Sequence, residues 1–253
     1  MNNRSAGCAM TRSRFLLPMA GASAAAVMLW SLWYFTAGRK RPSPRDNRAV
    51  TVAHRVAQHG AIVDTRLRPV FQRASVSYPP AEVALLAFKD TREMQVYARA
   101  SSDEPWQHIK TYPVVGASGK PGPKLRADDQ QVPEGVYQVE LLNPLSRFHL
   151  SLRLNYPNAF DCRMGAADGR INLGTDIMIH GSASSTGCLA MGDDAAEDLF
   201  VLAARAGKEC VRVIIAPTDF RVGPARLIMH EPRWVSMLYA NLSEELKRFR
   251  RNA

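Results

Sequence analysis

Residues 177–194 read IMIHGSASSTGCLAMGDD. Alternation in the opening residues sets Met178 and His180 on one face of a strand and Ile177 and Ile179 on the other. His180 is then the last residue of that strand. A loop of glycines and small residues follows, and it carries Cys188. The next segment, DDAAEDLFVLAARAG, has helical spacing, with Asp194 placed to cap it, Glu197 three residues on, and Gly207 to end it. A strand that hands a histidine to a flexible loop, which hands a cysteine to a helix, sets the frame for the whole chain.

Outward from this stretch, short strand patterns dominate. EVALLAFK and EMQVYARA read as two strands joined at KDTR, and WQHIKTYPVVGA reads as a third. VYQVELL and FHLSLRLNY alternate, and CVRVIIAP closes the series. SGKPGPKLRADDQQVPEG and PNAFDCRMGAADGRINLG read as two long loops. The expected fold class is α+β, mostly β with one main helix, over residues 82–220. Residues 39–81 read as a linker holding a short helix interrupted near Gly60, and residues 221–253 as a helical tail.

The chemistry turns on two residues. A nucleophilic cysteine needs its thiolate form, which a neighbouring imidazolium favours. Gly187 leaves Cys188 open to a carbonyl, and the backbone N–H groups of Gly187 and Cys188 are candidates to hold an oxyanion. The same residues equally fit an inert buried cysteine and a satisfied structural histidine. Spacing alone leaves both open.

Charge distribution removes one class of function. The formal net charge is +10. Residues 1–48 carry +7 of it and residues 244–253 carry +2, so the body is near neutral and lacks the basic stripe of a nucleic-acid binder. After the basic residues 1–14, residues 15–38 run 24 positions without a charge and end in Trp30, Trp33, Tyr34 and Phe35. That length spans a bilayer and the aromatics suit its interface. An uncleaved transmembrane anchor is the preferred reading, with a cleaved signal segment as the alternative. Three basic residues precede the span and five follow it, a bias that by itself would leave the body in the cytoplasm. Of the four cysteines, Cys8 precedes the span, and Cys162 and Cys210 are either a disulfide or two small buried hydrophobes. No CxxC pair is present, which argues against a cysteine-based structural zinc site.

Three segments in order, GPK....DDQQVPEGVYQV (122–139), FHLSLRLNYPNAFD (148–161) and IMIHG...SSTGCLAM (177–191), resemble the L,D-transpeptidase catalytic domain of YkuD type over residues 85–215. Thr186 departs from the family pattern by standing where most members have a second histidine, and the spacing from His180 to Cys188 is shorter than usual. Both departures resemble a sub-branch with S-x-G-C in place of S-H-G-C, some of whose members detach a lipoprotein from peptidoglycan.

The resemblance implies a small β-sandwich-like domain with Cys188 as nucleophile and His180 as its base. It implies that Gly181, Ser185, Thr186 and Gly187 shape the site, and that Lys124 is either a structural ion pair or a contact to an acidic substrate. It implies a peptidoglycan stem peptide as substrate, no cofactor or metal, and a body anchored at the periplasmic face of the inner membrane, against the loop-charge bias. Transfer, hydrolysis that frees a stem peptide or a peptidoglycan-linked lipoprotein, and a non-catalytic peptidoglycan-binding module remain the three outcomes.

Overall fold

The computed structural model describes residues 50–224 and 232–250. The expected span at 15–38, the basic residues before it, Cys8 and the linker up to residue 49 lie outside the described residues. Among those described, no helix is long and apolar enough to cross a membrane. The fold is α+β, with four α-helices beside one curled nine-stranded sheet among the described residues.

The strands are β1 (Glu82–Phe88), β2 (Glu93–Arg99), β3 (Gln107–Pro113), β4 (Gly116–Ala117), β5 (Gly135–Asn143), β6 (Ser151–Leu154), β7 (Met178–His180), β8 (Leu189–Ala190) and β9 (Val211–Ala216). Their spatial order is β3-β2-β1-β9-β5-β6-β7-β8-β4. The pairs β1–β9 and β7–β8 are parallel and the rest antiparallel. The helices are α1 (Val52–Arg73), α2 (Ala159–Ala167), α3 (Asp193–Ala206) and α4 (Val235–Leu246).

The near-continuous apolar run of β1 has a simple cause, since both faces of the sheet are covered there. Val83, Leu85 and Ala87 pack into a core with Val63, Leu67 and Phe71 of α1 and Leu199, Phe200 and Leu202 of α3. Ala84, Leu86 and Phe88 pack into a second core with Val235, Leu238 and Leu242 of α4. Strand β9 splits the same way, Val213 to one side and Ile214 to the other.

Three sequence expectations change. The helix at 52–73 runs unbroken through Gly60, whose missing side chain leaves room for the Arg205 guanidinium: a Cβ there would meet Arg205 Nη2 at 2.8 Å. Arg205 in turn pairs with Asp64 of α1 and donates to the Tyr78 hydroxyl, so α1 is clamped to α3 and packs as part of the body. Asp194 is not the cap of α3. The helix begins at Asp193, two residues earlier than a cap at Asp194 would set it, after Gly192 turns the chain at φ 75°. Asp193 aims its carboxylate back at the Ser182 amide (2.7 Å). The segment read as a loop at 157–174 contains α2, started by a capping box in which the Asn158 side chain accepts from Phe160 and Asp161 while Asp161 accepts from the Asn158 amide. Gly207 does end α3.

Cys162 is free and exposed on α2, and Cys210 is free and half-buried. Cys162 is therefore neither half of a disulfide nor a buried hydrophobe in this structure.

One buried ion pair ties the long Gly/Pro loop to the sheet. Lys89 Nζ lies 3.1 Å from Glu134 Oε1, both side chains nearly inaccessible, and donates to the carbonyls of Gly122 and Val132. Glu134 also accepts from the Gly122 amide and from the Tyr239 hydroxyl of α4. Burial lowers the Lys89 pKa, and the Glu134 charge beside it opposes that shift. Removing one partner of such a pair leaves the other charge stranded. Lys89→Met should cost about 3–5 kcal/mol in urea unfolding, and adding Glu134→Leu should recover much of that loss.

Candidate active site

The parallel pairing of β7 with β8 sets Ile179 beside Leu189 and His180 beside Ala190. Cys188 immediately precedes β8 and follows the turn at Gly187, so it stands one residue beyond the paired positions, on the side of the pair where β7 begins. His180 and Cys188 are thus one strand across and two residues along, roughly 8 Å between Cα atoms. No hydrogen bond joins them among the described residues.

Several groups of the connecting loop are tied down. The Met191 amide donates to the His180 carbonyl (2.8 Å) and the Gly192 amide to that of Ser182 (2.9 Å). Gly181 is pressed so closely that a Cβ would lie 2.6 Å from Asp193 Oδ1 and 2.9 Å from the Phe148 carbonyl. Gly187 has φ 101°, a conformation that L side chains rarely adopt. The Ser185 hydroxyl accepts from the Cys188 amide (3.1 Å) and donates to the Cys188 carbonyl (2.6 Å). The Gly187 amide donates to Ser118 Oγ, whose own proton goes to the Gln130 carbonyl. Both amides read from sequence as oxyanion donors are therefore already engaged, by Ser185 and Ser118, and serve an oxyanion only if those hydroxyls are displaced. Ser118, about seventy positions away in the chain, carries no sequence signal for this role.

The histidine has a fixed tautomer. His180 Nδ1 lies 2.6 Å from the Gly181 carbonyl, which can only accept, so Nδ1 carries the proton and Nε2 is left as an acceptor. The ring is 2% exposed and stacks on Phe148 at 4.7 Å between centroids. Phe148 opens the motif FHLSL, yet nothing in its spacing announces that contact. Burial lowers the His180 pKa, and the bond to Gly181 opposes it.

Burial also pushes the Cys188 thiol up, as does the Asp176 charge, against a Met178 backbone hydrogen bond and Lys124. The thiol lies 3.7 Å from the Asp176 carbonyl. Both groups are thus held toward their neutral forms, and the resting thiolate beside an imidazolium expected from sequence is not what this geometry favours.

Cys188 opens onto a cleft of about 540 Å³ whose other charged and polar lining includes Lys124, Asp128, Gln130, Asp176 and Thr186. His180 does not line it. Asp128, Gln130 and Asp176 all have φ of 55–58°, a concentration of left-handed backbone around one cleft that points to a functional loop pair. Lys124 is buried, paired with Asp129 Oδ1 and bonded to the Arg126 carbonyl (2.8 Å). Of its two sequence readings, the ion pair is present, and the ammonium still borders the cleft.

The chain is similar in sequence to curated proteins. A protein named "Putative L,D-transpeptidase YafK", from Escherichia coli strain K12, is 31% identical over 168 residues. The chain is a relative of that protein. The aligned part is 64% of this chain and spans 64% of the relative's length. No family model matches the chain. Among solved structures, the helical cell shape determining protein Pgp2 of Campylobacter jejuni is 20% identical with a TM-score of 0.42, covering 55% of this chain and 48% of its own. The Mycobacterium tuberculosis L,D-transpeptidase 1 is 12% identical with a TM-score of 0.32, covering 53% and 62%. Likenesses this loose carry no argument about the chemistry, which rests on the site itself.

A half-buried thiol whose pKa is raised should alkylate with an inflection above that of a free cysteine, about 8.5. The measurement is iodoacetamide labelling of the Cys188 peptide across pH, followed by mass spectrometry. An inflection well below the free value would contradict the neutral pair.

Proposed function

We propose that the chain is a peptidoglycan-directed cysteine acyltransferase of L,D-transpeptidase type, belonging to the sub-branch with Ser185-Thr186-Gly187-Cys188 at the nucleophile. The observation that carries this reading is the β7–β8 pairing, which brings the strand end bearing His180, its Nε2 left free by the Gly181 carbonyl, close to the start of β8, where the Cys188 thiol opens onto the cleft. A cleft of mixed charge suits a stem peptide bearing both ammonium and carboxylate groups. The likeness to a protein named as an L,D-transpeptidase points the same way.

In the proposed reaction, Cys188 Sγ attacks the carbonyl of the third stem residue while its proton passes to His180 Nε2. Because thiol and imidazole start neutral, the proton moves as the C–S bond forms, which is general base catalysis. The tetrahedral intermediate expels the leaving amine, which takes the proton back from His180, and a thioester remains on Cys188. An amine or water then attacks the thioester, with His180 accepting its proton and passing it to Cys188 Sγ as the C–S bond breaks, so that the thiol and the neutral imidazole are restored. The approach of Cys188 to His180 requires closing the diagonal offset between them, and Phe148 is the side chain that lies over the ring. This substrate sets the body at the wall-facing side of the inner membrane, in the periplasm.

Incubating the full chain with purified muropeptides tests the proposal by product mass. A cross-linked dimer marks transfer, a shortened stem or freed lipoprotein remnant marks hydrolysis, and unchanged material would overturn the enzymatic reading. Cys188→Ala should abolish product, and His180→Gln should lower turnover by about 10²–10⁴-fold. Activity should rise with pH through an inflection below the ordinary histidine value of 6.5, since the base must be neutral and burial lowers its pKa.

A further inference from the structure

Outside the cleft, three side chains from distant parts of the chain converge on one point. His59 comes from α1, His149 from the connection between β5 and β6, and Glu197 from the first turns of α3. His59 Nδ1 and His149 Nε2 each lie 3.0 Å from the same oxygen, Glu197 Oε1. All three donor atoms fall within 4.8 Å of one another. The other carboxylate oxygen, Oε2, is held by Arg66 Nη2 at 3.0 Å. His59 is buried, and His149 and Glu197 are half-buried, so the point is sheltered without being sealed.

We infer that His59, His149 and Glu197 form a binding site for a divalent transition metal of the zinc class. Two imidazole nitrogens and one carboxylate oxygen are a donor set that such ions take, with water completing four-coordination. A tetrahedral zinc site spaces its donors by about 3.4 Å, so each 3.0 Å contact has only to open slightly around the ion. In the ion-free arrangement both rings donate N–H to one oxygen, because a carboxylate only accepts. On binding, the ring proton of His59 moves to Nε2 and that of His149 to Nδ1, and the two freed lone pairs and Oε1 turn to the ion. No proton is lost overall. Arg66 anchors the carboxylate from behind and fixes which oxygen is offered, as outer partners of metal ligands do.

The site is separate from the nucleophile but adjoins the base. His149 follows Phe148, whose ring covers His180, and the His149 Cβ reaches to within 2.9 Å of where a Cβ on Gly181 would stand. An ion bound there holds in place the segment that carries Phe148.

The test titrates zinc into the untagged full chain carrying Cys188→Ala, with the remaining thiols alkylated, so that no sulfur contributes. Calorimetry should give one zinc per chain, and cobalt in place of zinc should produce a visible ligand-field spectrum of nitrogen and oxygen donors. His149→Ala, on a half-exposed connection, should weaken binding by at least about tenfold and remove that spectrum. Glu197→Gln should do the same, with circular dichroism confirming the fold of each variant. If Glu197→Gln does not fold, His149→Ala decides alone. Absence of saturable binding, or binding that His149→Ala leaves unchanged, would overturn the site whether or not the protein acts on muropeptides.

Discussion

The active arrangement depends on one short contact between strands. β7 and β8 pair over only two positions, side by side and parallel, and are joined by eight residues instead of the dozen or more that a parallel crossover usually takes. So short a connection cannot pack a helix on the sheet. It has to be held flat, and the protein does this with polar groups: Asp193 on the Ser182 amide, Ser185 on Cys188, Ser118 on Gly187. Each satisfies a backbone group that no ladder reaches.

The same rigidity limits the chemistry at rest. Hydrophobic burial that positions His180 beneath Phe148 also makes its charged form costly, and the partly buried thiol is penalised in the same way. Burial therefore disfavours the ion pair that the two groups would form more readily in a solvated site. Ser118 and Ser185 likewise keep the amides of Gly187 and Cys188 bonded.

Much of the sheet was legible because its evidence is local. EVALLAF and EMQVYAR announce themselves by β-forming, apolar residues bounded by turn residues, and both appear where expected. The helix over 159–167 was missed although its signal, Asn158 followed three residues later by Asp161, is a local one. Gly60 misled for a deeper reason. In sequence a glycine reads as a break in a helix, while here it is the space that the Arg205 guanidinium needs, and that arginine lies on another helix. The start of α3 moved by two residues, and Asp193 at its first position serves the loop before it, a demand made by the fold.

The sequence alone determined the class of fold and the pair of residues on which any cysteine chemistry must rest, because strand alternation, turn residues and the run from His180 to Cys188 are all encoded within a few neighbouring positions. Only the tertiary structure decided the tautomer of His180, the occupied state of the neighbouring amides, the pairing of Lys124 with Asp129 and the meeting of His59 and His149 at Glu197. The physical reason lies mainly in distance along the chain. Contacts such as Ser118 with Gly187 or His59 with Glu197 join residues that periodicity cannot relate, since they become neighbours only when the sheet curls and α1 packs on α3.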